Sequence, residues 1–187
     1  MFPRSVRWPT ARRSRGGRTR RRVTGFWSRA NSIGVGRADG PDYPGSTMFK
    51  PTPKVVAALR ELVPADQLDL ELSRRRPDLT ALLLRAAATD APLGRDLQAA
   101  VCRAGCALLG ERHPGASIEV RVPPFAAVQL GFGTGPRHTR GTPPNVVEMS
   151  PETFIDLAVG RVAWADATVD MSGVHAGEAA AGFPLVT

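Results

Sequence analysis

The hydrophobic period of the chain changes at Gly115, and this change constrains the fold more than any other feature of the sequence. Before Gly115, apolar side chains recur about every 3.6 residues, which is typical of amphipathic helices. Beyond it they alternate with polar ones, as in Ser-Ile-Glu-Val-Arg-Val (Ser117 to Val122), which is typical of a strand with one face in water. Helices followed by strands predict an α+β layer structure.

The segment before Gly115 is predicted to be helical. Its apolar spacing predicts helices over 53–62, 77–89 and 95–111, the last of which stops at His113-Pro114-Gly115. Residues 68–76 are ambiguous, because Leu68, Leu70 and Leu72 alternate as they would in a strand.

The segment beyond Gly115 is predicted to contain strands and a pair of helices. Strands are expected over 117–122, 125–130, 145–149 and 174–179. Ser150 as N-cap, Pro151 at the first helical position and Glu152 in the first turn predict a helix that ends at Gly160. A second short helix is expected around 163–168.

The positive charge of the chain is concentrated in its first 47 residues. They contain 11 arginines and two acids, a net charge of +9, whereas residues 48–187 carry 14 basic and 15 acidic side chains, a net charge of −1. This distribution argues against a basic globular nucleic-acid-binding protein, whose positive charge should lie on the surface of the folded domain. The segment is rich in Arg, Gly, Ser and Pro and poor in aliphatic residues, so we expect a disordered basic extension that stays outside the fold.

Four interpretations of residues 1–47 compete. A basic arm could bind nucleic-acid phosphates, and the composition also fits an organelle transit peptide. A twin-arginine export signal is disfavoured, because no apolar stretch follows between Val23 and Val35. We favour a fourth interpretation, in which translation begins at Met48, because 23 arginines against 2 lysines and abundant Ala, Gly and Pro are what GC-rich DNA gives in any frame.

Residues 48–187 are predicted to form a single domain, helical over 48–115 and strand-rich over 116–187. Cys102 and Cys106 lie four residues apart on the predicted long helix, where a metal site would need two further ligands. Gly105 between them predicts a close-packed helix face, and we expect buried reduced thiols, which suit a cytoplasmic setting.

Motifs for other activities do not occur in the sequence. It has no His-x3-His pair, Gly-x-Ser-x-Gly elbow, phosphate loop or paired catalytic carboxylates. The glycine cluster at 131–135 precedes no predicted helix and therefore fails the dinucleotide-binding test. No run approaches the 18 apolar residues of a transmembrane helix.

Motifs in the C-terminal half resemble those of the sterol carrier protein superfamily. Met149 to Ala176 (M-S-P-E-T-F-I-D-L-A-V-G-R-V-A-W-A-D-A-T-V-D-M-S-G-V-H-A) is similar to the part in which a capped helix with Phe or Trp ends at Gly. There a second short helix and a Ser-Gly turn into the last strand follow. Glu119 to Gln129 (E-V-R-V-P-P-F-A-A-V-Q) and Gly135 to Glu148 (G-P-R-H-T-R-G-T-P-P-N-V-V-E) resemble a bacterial branch. The resemblance covers about Ser117 to Val186.

The resemblance implies both a fold and a function. The fold is a twisted, mainly antiparallel sheet of about five strands, covered on one face by helices, with an apolar tunnel between the layers. Members bind fatty acyl chains, sterols or other lipids, and no side chain performs covalent chemistry. We therefore expect a cytoplasmic, non-enzymatic protein that binds a lipid or another apolar small molecule and needs no cofactor or metal.

The alternative is an accessory or protein-interaction domain without a free ligand. Related domains lie behind the helical bundle of mycothiol-dependent isomerases, where they support an enzyme. That bundle brings a histidine metal site, whereas residues 48–115 contain only His113. Nucleic acid would be bound only through residues 1–47.

Candidate ligand-binding residues are the apolar side chains expected between helices and sheet, namely Phe125, Val128, Phe132, Val146, Phe154, Leu157 and Trp164. Any α+β core needs such a stripe, so the sequence does not decide whether these side chains form a packed core or the wall of a ligand site. Side chains such as Phe183 could also fill the tunnel. Arg137, His138 and Arg140 share a Gly/Pro loop and could hold a carboxylate, a phosphate or a partner. Alternatively, these charges pair with a neighbouring acid such as Glu148.

Overall fold

We describe a computed structural model of the chain over residues 51–132 and 145–186. The interpretations of residues 1–47 and the candidate head-group residues Arg137, His138 and Arg140 fall outside these ranges.

Five α-helices occur in the described residues: α1 (Pro53–Arg60), α2 (Ala65–Leu72), α3 (Thr80–Ala87), α4 (Arg95–Arg112) and α5 (Pro151–Ala158). The helices predicted from apolar spacing are thereby confirmed, with ends that differ by a few residues. The ambiguous leucines belong to α2, in which Leu68 is buried and Leu70 is 61% exposed. Leu68 and Leu72 share a helical face because they are four residues apart, which explains the alternation without a strand.

Capping side chains fix the start of α1 and α5. Thr52 Oγ1 accepts a hydrogen bond from the Val55 N–H (3.4 Å), and Ser150 Oγ accepts one from the Thr153 N–H (3.1 Å). A proline follows each cap at the start of the helix. The stop predicted at Gly160 is confirmed, since its φ of +69° lies in the left-handed region that glycine favours.

The described strands are β1 (Ile118–Val122), β2 (Ala126–Leu130), β3 (Val146–Glu148) and β4 (Asp170–Ser172). They form one sheet in the order β2-β1-β3-β4. β1 pairs antiparallel with β2 and parallel with β3, and β3 pairs antiparallel with β4. The α+β class is confirmed, although the sheet of the described residues is mixed and has four strands instead of about five.

The strand predicted over 174–179 is wrong. The chain instead forms β4 just before this segment and a 3-10 helix at Ala176–Gly182. Gly173, with φ of +100°, turns the chain out of the sheet, and Ala176–Gly182 (A-G-E-A-A-A-G) has no β-branched or aromatic residue to favour a strand. The second short helix predicted after α5 is a single 3-10 turn, Trp164–Asp166.

Helix α4 is the central element of the core. It packs on β2 on one side and on α1, α3 and α5 on its other sides. Its faces toward these neighbours carry small buried residues such as Ala100, Ala104 and Gly105, which allow close approach. The C-terminal 3-10 helix contacts β1, β3 and β4, and its Ala176 and Ala179 belong to the same buried cluster.

Candidate ligand site

Helix α4 and the sheet are in direct contact. A Cβ on Gly110 of α4 would lie 2.9 Å from Cγ2 of Val128 on β2. Val120 and Val147, which point inward from the middle of the sheet, are fully buried. In the described residues, the two layers are therefore packed together where the resemblance implies a tunnel.

Two surface depressions stand out elsewhere, with volumes of about 390 Å³ and 220 Å³. The first lies at the turn between β1 and β2, and its lining includes the candidate residue Phe125, the prolines Pro123 and Pro124, and the charged Arg121 and Glu148. Glu152, Asp156 and Arg161 line the second, beside α5. The lining of the first depression is mostly apolar, whereas that of the second mixes apolar side chains with polar and charged ones.

Three aromatic rings meet beside α5 and form what we call the aromatic seam: Phe154, Phe183 and Trp164. The Phe183 ring contacts the other two, with its centroid 5.7 Å from that of Phe154 at 85° and 5.6 Å from that of Trp164 at 35°. Phe154 is 0% exposed, whereas Trp164 and Phe183 are half-buried. The aromatic seam thus leads from solvent into the core.

Gly105 of α4 forms the floor of the aromatic seam. A Cβ at this position would lie 2.8 Å from Cε1 of Phe154 and 3.2 Å from Cδ1 of Leu185. The Phe154 ring and the Leu185 side chain, which is 2% exposed, therefore rest on the helix backbone itself. The close-packed face predicted at Gly105 is confirmed.

The last four described residues, Phe183–Val186, lie against α4 and α5 and complete this candidate site. We call this segment the C-terminal strap. The N–H groups of Leu185 and Val186 donate to the Ala158 carbonyl at 2.8 Å and 3.3 Å. Arg112 Nη1, at the end of α4, donates to the Leu185 carbonyl at 2.8 Å. The strap thus links the two helices on either side of it.

Three of the seven candidate ligand-binding residues lie together on and after α5. Phe154 and Trp164 belong to the aromatic seam, and Leu157 is buried on α5 one turn after Phe154. Phe125 and Phe132 lie at opposite ends of β2, near Arg95 and His113 respectively. The structure does not bring these two rings to the seam.

Val128 and Val146 lie on opposite faces of the sheet. Val128 is in register with Val120, which points toward the helices. Val146 is in register with Glu119, the neighbour of Val120, and so points the other way. These two valines therefore cannot line one common space.

Sequence reasoning missed Leu185 and Arg112 as parts of this site. Both owe their role to a contact between residues 73 positions apart, which no local pattern reveals. Phe183, expected as a side chain that could fill the tunnel, instead fills the aromatic seam. The glycine at position 105 was the one local signal of a close contact on this face of α4.

Cys102 and Cys106 are buried and unpaired, which confirms the prediction of buried thiols. Burial raises the pKa of each thiol to about 12, so both are protonated at neutral pH. Within residues 51–132 and 145–186, no group of three or more His, Cys, Asp or Glu side chains is arranged to hold a metal ion. No helix of these two ranges is long and apolar enough to cross a membrane.

The described residues thus form an α+β fold with an aromatic seam that reaches solvent at Trp164 and Phe183. Residues 94–185 match a family model described as the bacterial SCP ortholog, where SCP denotes sterol carrier protein. The match runs from the N-cap of α4 through all four strands to Leu185 in the strap. The resemblance to the bacterial branch of the superfamily is therefore confirmed and extends upstream to include α4. No curated protein matches the chain.

Proposed function

We propose that this protein binds a lipid or another apolar small molecule and performs no covalent chemistry on it. The family match supports this class of function. The observation that carries it for this chain is the aromatic seam, in which half-buried Trp164 and Phe183 continue onto fully buried Phe154. Small-molecule sites usually have apolar and aromatic walls with few polar groups, and the seam fits that pattern.

The proposed site consists of Phe154, Leu157 and Trp164, and the Phe183 ring packs against two of them, Phe154 and Trp164. Burial of apolar ligand surface there would contribute about 25 cal/mol per Å² before the costs of immobilisation. The roles of the residues away from the seam, and of Arg137, His138 and Arg140 as head-group ligands, stay predictions. We also propose a cytoplasmic location, which buried reduced thiols support.

Native mass spectrometry of the gently purified full chain tests this function, and a titration with the fluorescent fatty acid parinaric acid complements it. We expect a co-purifying lipid adduct and saturable binding that Trp164→Ala weakens. Val174→Ala is the matched control, because Val174 is an apolar side chain that is 95% exposed. A chain with neither adduct nor probe response would contradict the proposal.

One observation favours a second candidate, an accessory domain that binds a protein and no free ligand. Gly110 touches Val128 where the family resemblance implies a tunnel, and Met171 (53% exposed) and Val174 leave apolar surface at β4. Under this alternative, lipid assays stay negative, and Met171→Ser with Val174→Ser weakens binding to the partner protein.

A further inference from the structure

Building on the proposed function, we infer that the C-terminal strap is the resident occupant of the ligand groove. An apolar chain that ends in a carboxylate then binds by displacing Phe183–Val186 and pairing its head group with Arg112. The strap thus blocks the groove until a ligand displaces it, and Arg112, which lies outside the site predicted from the sequence, becomes a ligand-binding residue.

The strap fills the groove in the way that an apolar ligand would. The Phe183 ring lies against Phe154 and Trp164, and the Leu185 side chain lies on the backbone of α4 at Gly105. Both side chains occupy space with apolar and aromatic walls and few polar groups. A chain of similar cross-section can therefore replace these side-chain contacts, and the cost of displacement includes the loss of the two bonds to the Ala158 carbonyl.

Few polar contacts hold the strap in the described region. Its backbone belongs to no helix or strand. The Leu185 and Val186 N–H groups share one acceptor, the Ala158 carbonyl, and Arg112 donates to the Leu185 carbonyl. Displacement breaks these bonds, and moving Phe183 also breaks the bond from its N–H to the Ala180 carbonyl (3.2 Å) at the end of the 3-10 helix. It disrupts no α-helix and no sheet ladder, and such segments open at lower free energy than the core does.

The walls of the groove are held together by contacts of their own, besides those made by the strap. Helices α4 and α5 contact each other directly, and Ser150 caps α5 from its own N-terminus. We therefore expect the groove to keep its shape when the strap leaves.

Arg112 is the group that selects the ligand head. Arg112 is an exposed residue whose guanidinium donates to a neutral carbonyl of the strap, and the described residues provide it with no carboxylate partner. A guanidinium binds a carboxylate more strongly than an amide carbonyl, because the bond is charge-assisted and can be bidentate. A ligand carboxylate at this position stays near solvent while its chain enters the aromatic seam.

The experiment compares parinaric acid with its uncharged methyl ester on the full chain and three variants. Phe183→Ala with Leu185→Ala weakens the strap and should raise the affinity for both probes several-fold. Arg112→Gln should lower the affinity for the acid on the order of ten-fold and leave the ester unchanged or bound more tightly. Arg103→Gln is the matched control, because Arg103 also donates from α4 to a backbone carbonyl, that of Phe125.

Hydrogen exchange provides a second readout that needs no substitution. Saturating parinaric acid should speed exchange of the Leu185 and Val186 amides in the wild-type chain, because these groups lose their acceptor. Added protection of these amides, or weaker binding by a folded strap variant, would make the strap a wall of the site and overturn the inference. Equal loss of acid and ester on Arg112→Gln would also overturn it.

These outcomes are distinct from failure of the proposed function. If neither the wild-type chain nor the folded strap variant binds either probe, the binding function itself is contradicted. If the wild-type chain binds both probes and the strap variant binds them no better, only the inference about the strap fails.

Discussion

Gly105 lies directly beneath Phe154, with 2.8 Å between Cε1 of the ring and the position that a Cβ on the glycine would take. Glycine is otherwise unfavourable inside a helix by about 1 kcal/mol relative to alanine. Its presence in α4 is therefore explained by packing, since the ring and the strap occupy the volume that a side chain would need.

Gly105→Ala should destabilise the protein by about 1–2 kcal/mol, because overpacking against Phe154 and Leu185 outweighs the gain in helix propensity. Urea denaturation measures the change. Gly177→Ala is the control, because a Cβ there meets nothing within 4 Å, and it should change stability by less than about 0.5 kcal/mol. A stabilised Gly105→Ala variant would contradict the packing argument.

Phe154→Ala and Trp164→Ala should separate core from rim along the aromatic seam. Phe154 is fully buried, so its truncation should lower the free energy of unfolding by about 3–5 kcal/mol. Truncation of half-buried Trp164 should lower it by about half as much. Thermal or urea unfolding of each variant gives the comparison. Equal losses would mean that the outer ring is as much core as the inner one.

Ser150→Ala should destabilise the protein by about 1 kcal/mol, because the Thr153 N–H in the first turn of α5 loses its acceptor, the Ser150 Oγ. Chemical denaturation measures this loss, and Thr168→Ala, at an exposed position, serves as the control. If both variants were equally stable, α5 would not depend on its cap.

The two buried thiols should make stability depend on alkaline pH. Burial raises the pKa of Cys102 and of Cys106 from 9.0 to about 12, so the unfolded chain ionises first as the pH rises. Their contribution to stability is full below about pH 9 and is lost progressively between pH 9 and 12. Denaturation midpoints measured at pH 8 and pH 10.5 should therefore differ by less in a Cys102→Ala, Cys106→Ala variant.

Thiol reactivity provides an independent check on the same burial. In the native protein at pH 8, a thiol-specific reagent should label Cys102 and Cys106 slowly, whereas both should react at once in denaturant. Rapid labelling of the native chain would show that α4 opens on this face.

Local patterns predicted the elements whose residues interact with near neighbours. The alternation at Ser117 to Val122 predicted β1, and the Ser-Pro pair at the start of α5 predicted its cap. The strand expected over 174–179 failed because Val174, which fits the alternation, is 95% exposed beyond the turn at Gly173. Alternation alone does not reveal that turn.

The site was predictable only in part, for the same physical reason. Phe154 and Trp164 fall in one motif, so the sequence indicated both. The bond from Arg112 to the Leu185 carbonyl joins the end of α4 to the strap, and it exists only once both have docked on α5. The position of Val128 and Val146 on opposite faces of the sheet likewise depends on strand register, since a shift of one residue would move a valine to the other face.

The central place of α4 has a consequence for any attempt to divide this polypeptide. One side of that helix contacts β2, and its other sides contact α1, α3 and α5. Cleavage at Gly115, where the hydrophobic period changes, would leave a helical fragment with a bare apolar flank and a strand fragment with an uncovered sheet. We therefore expect the intact chain to melt in one cooperative transition. The two fragments should regain structure only when they are mixed.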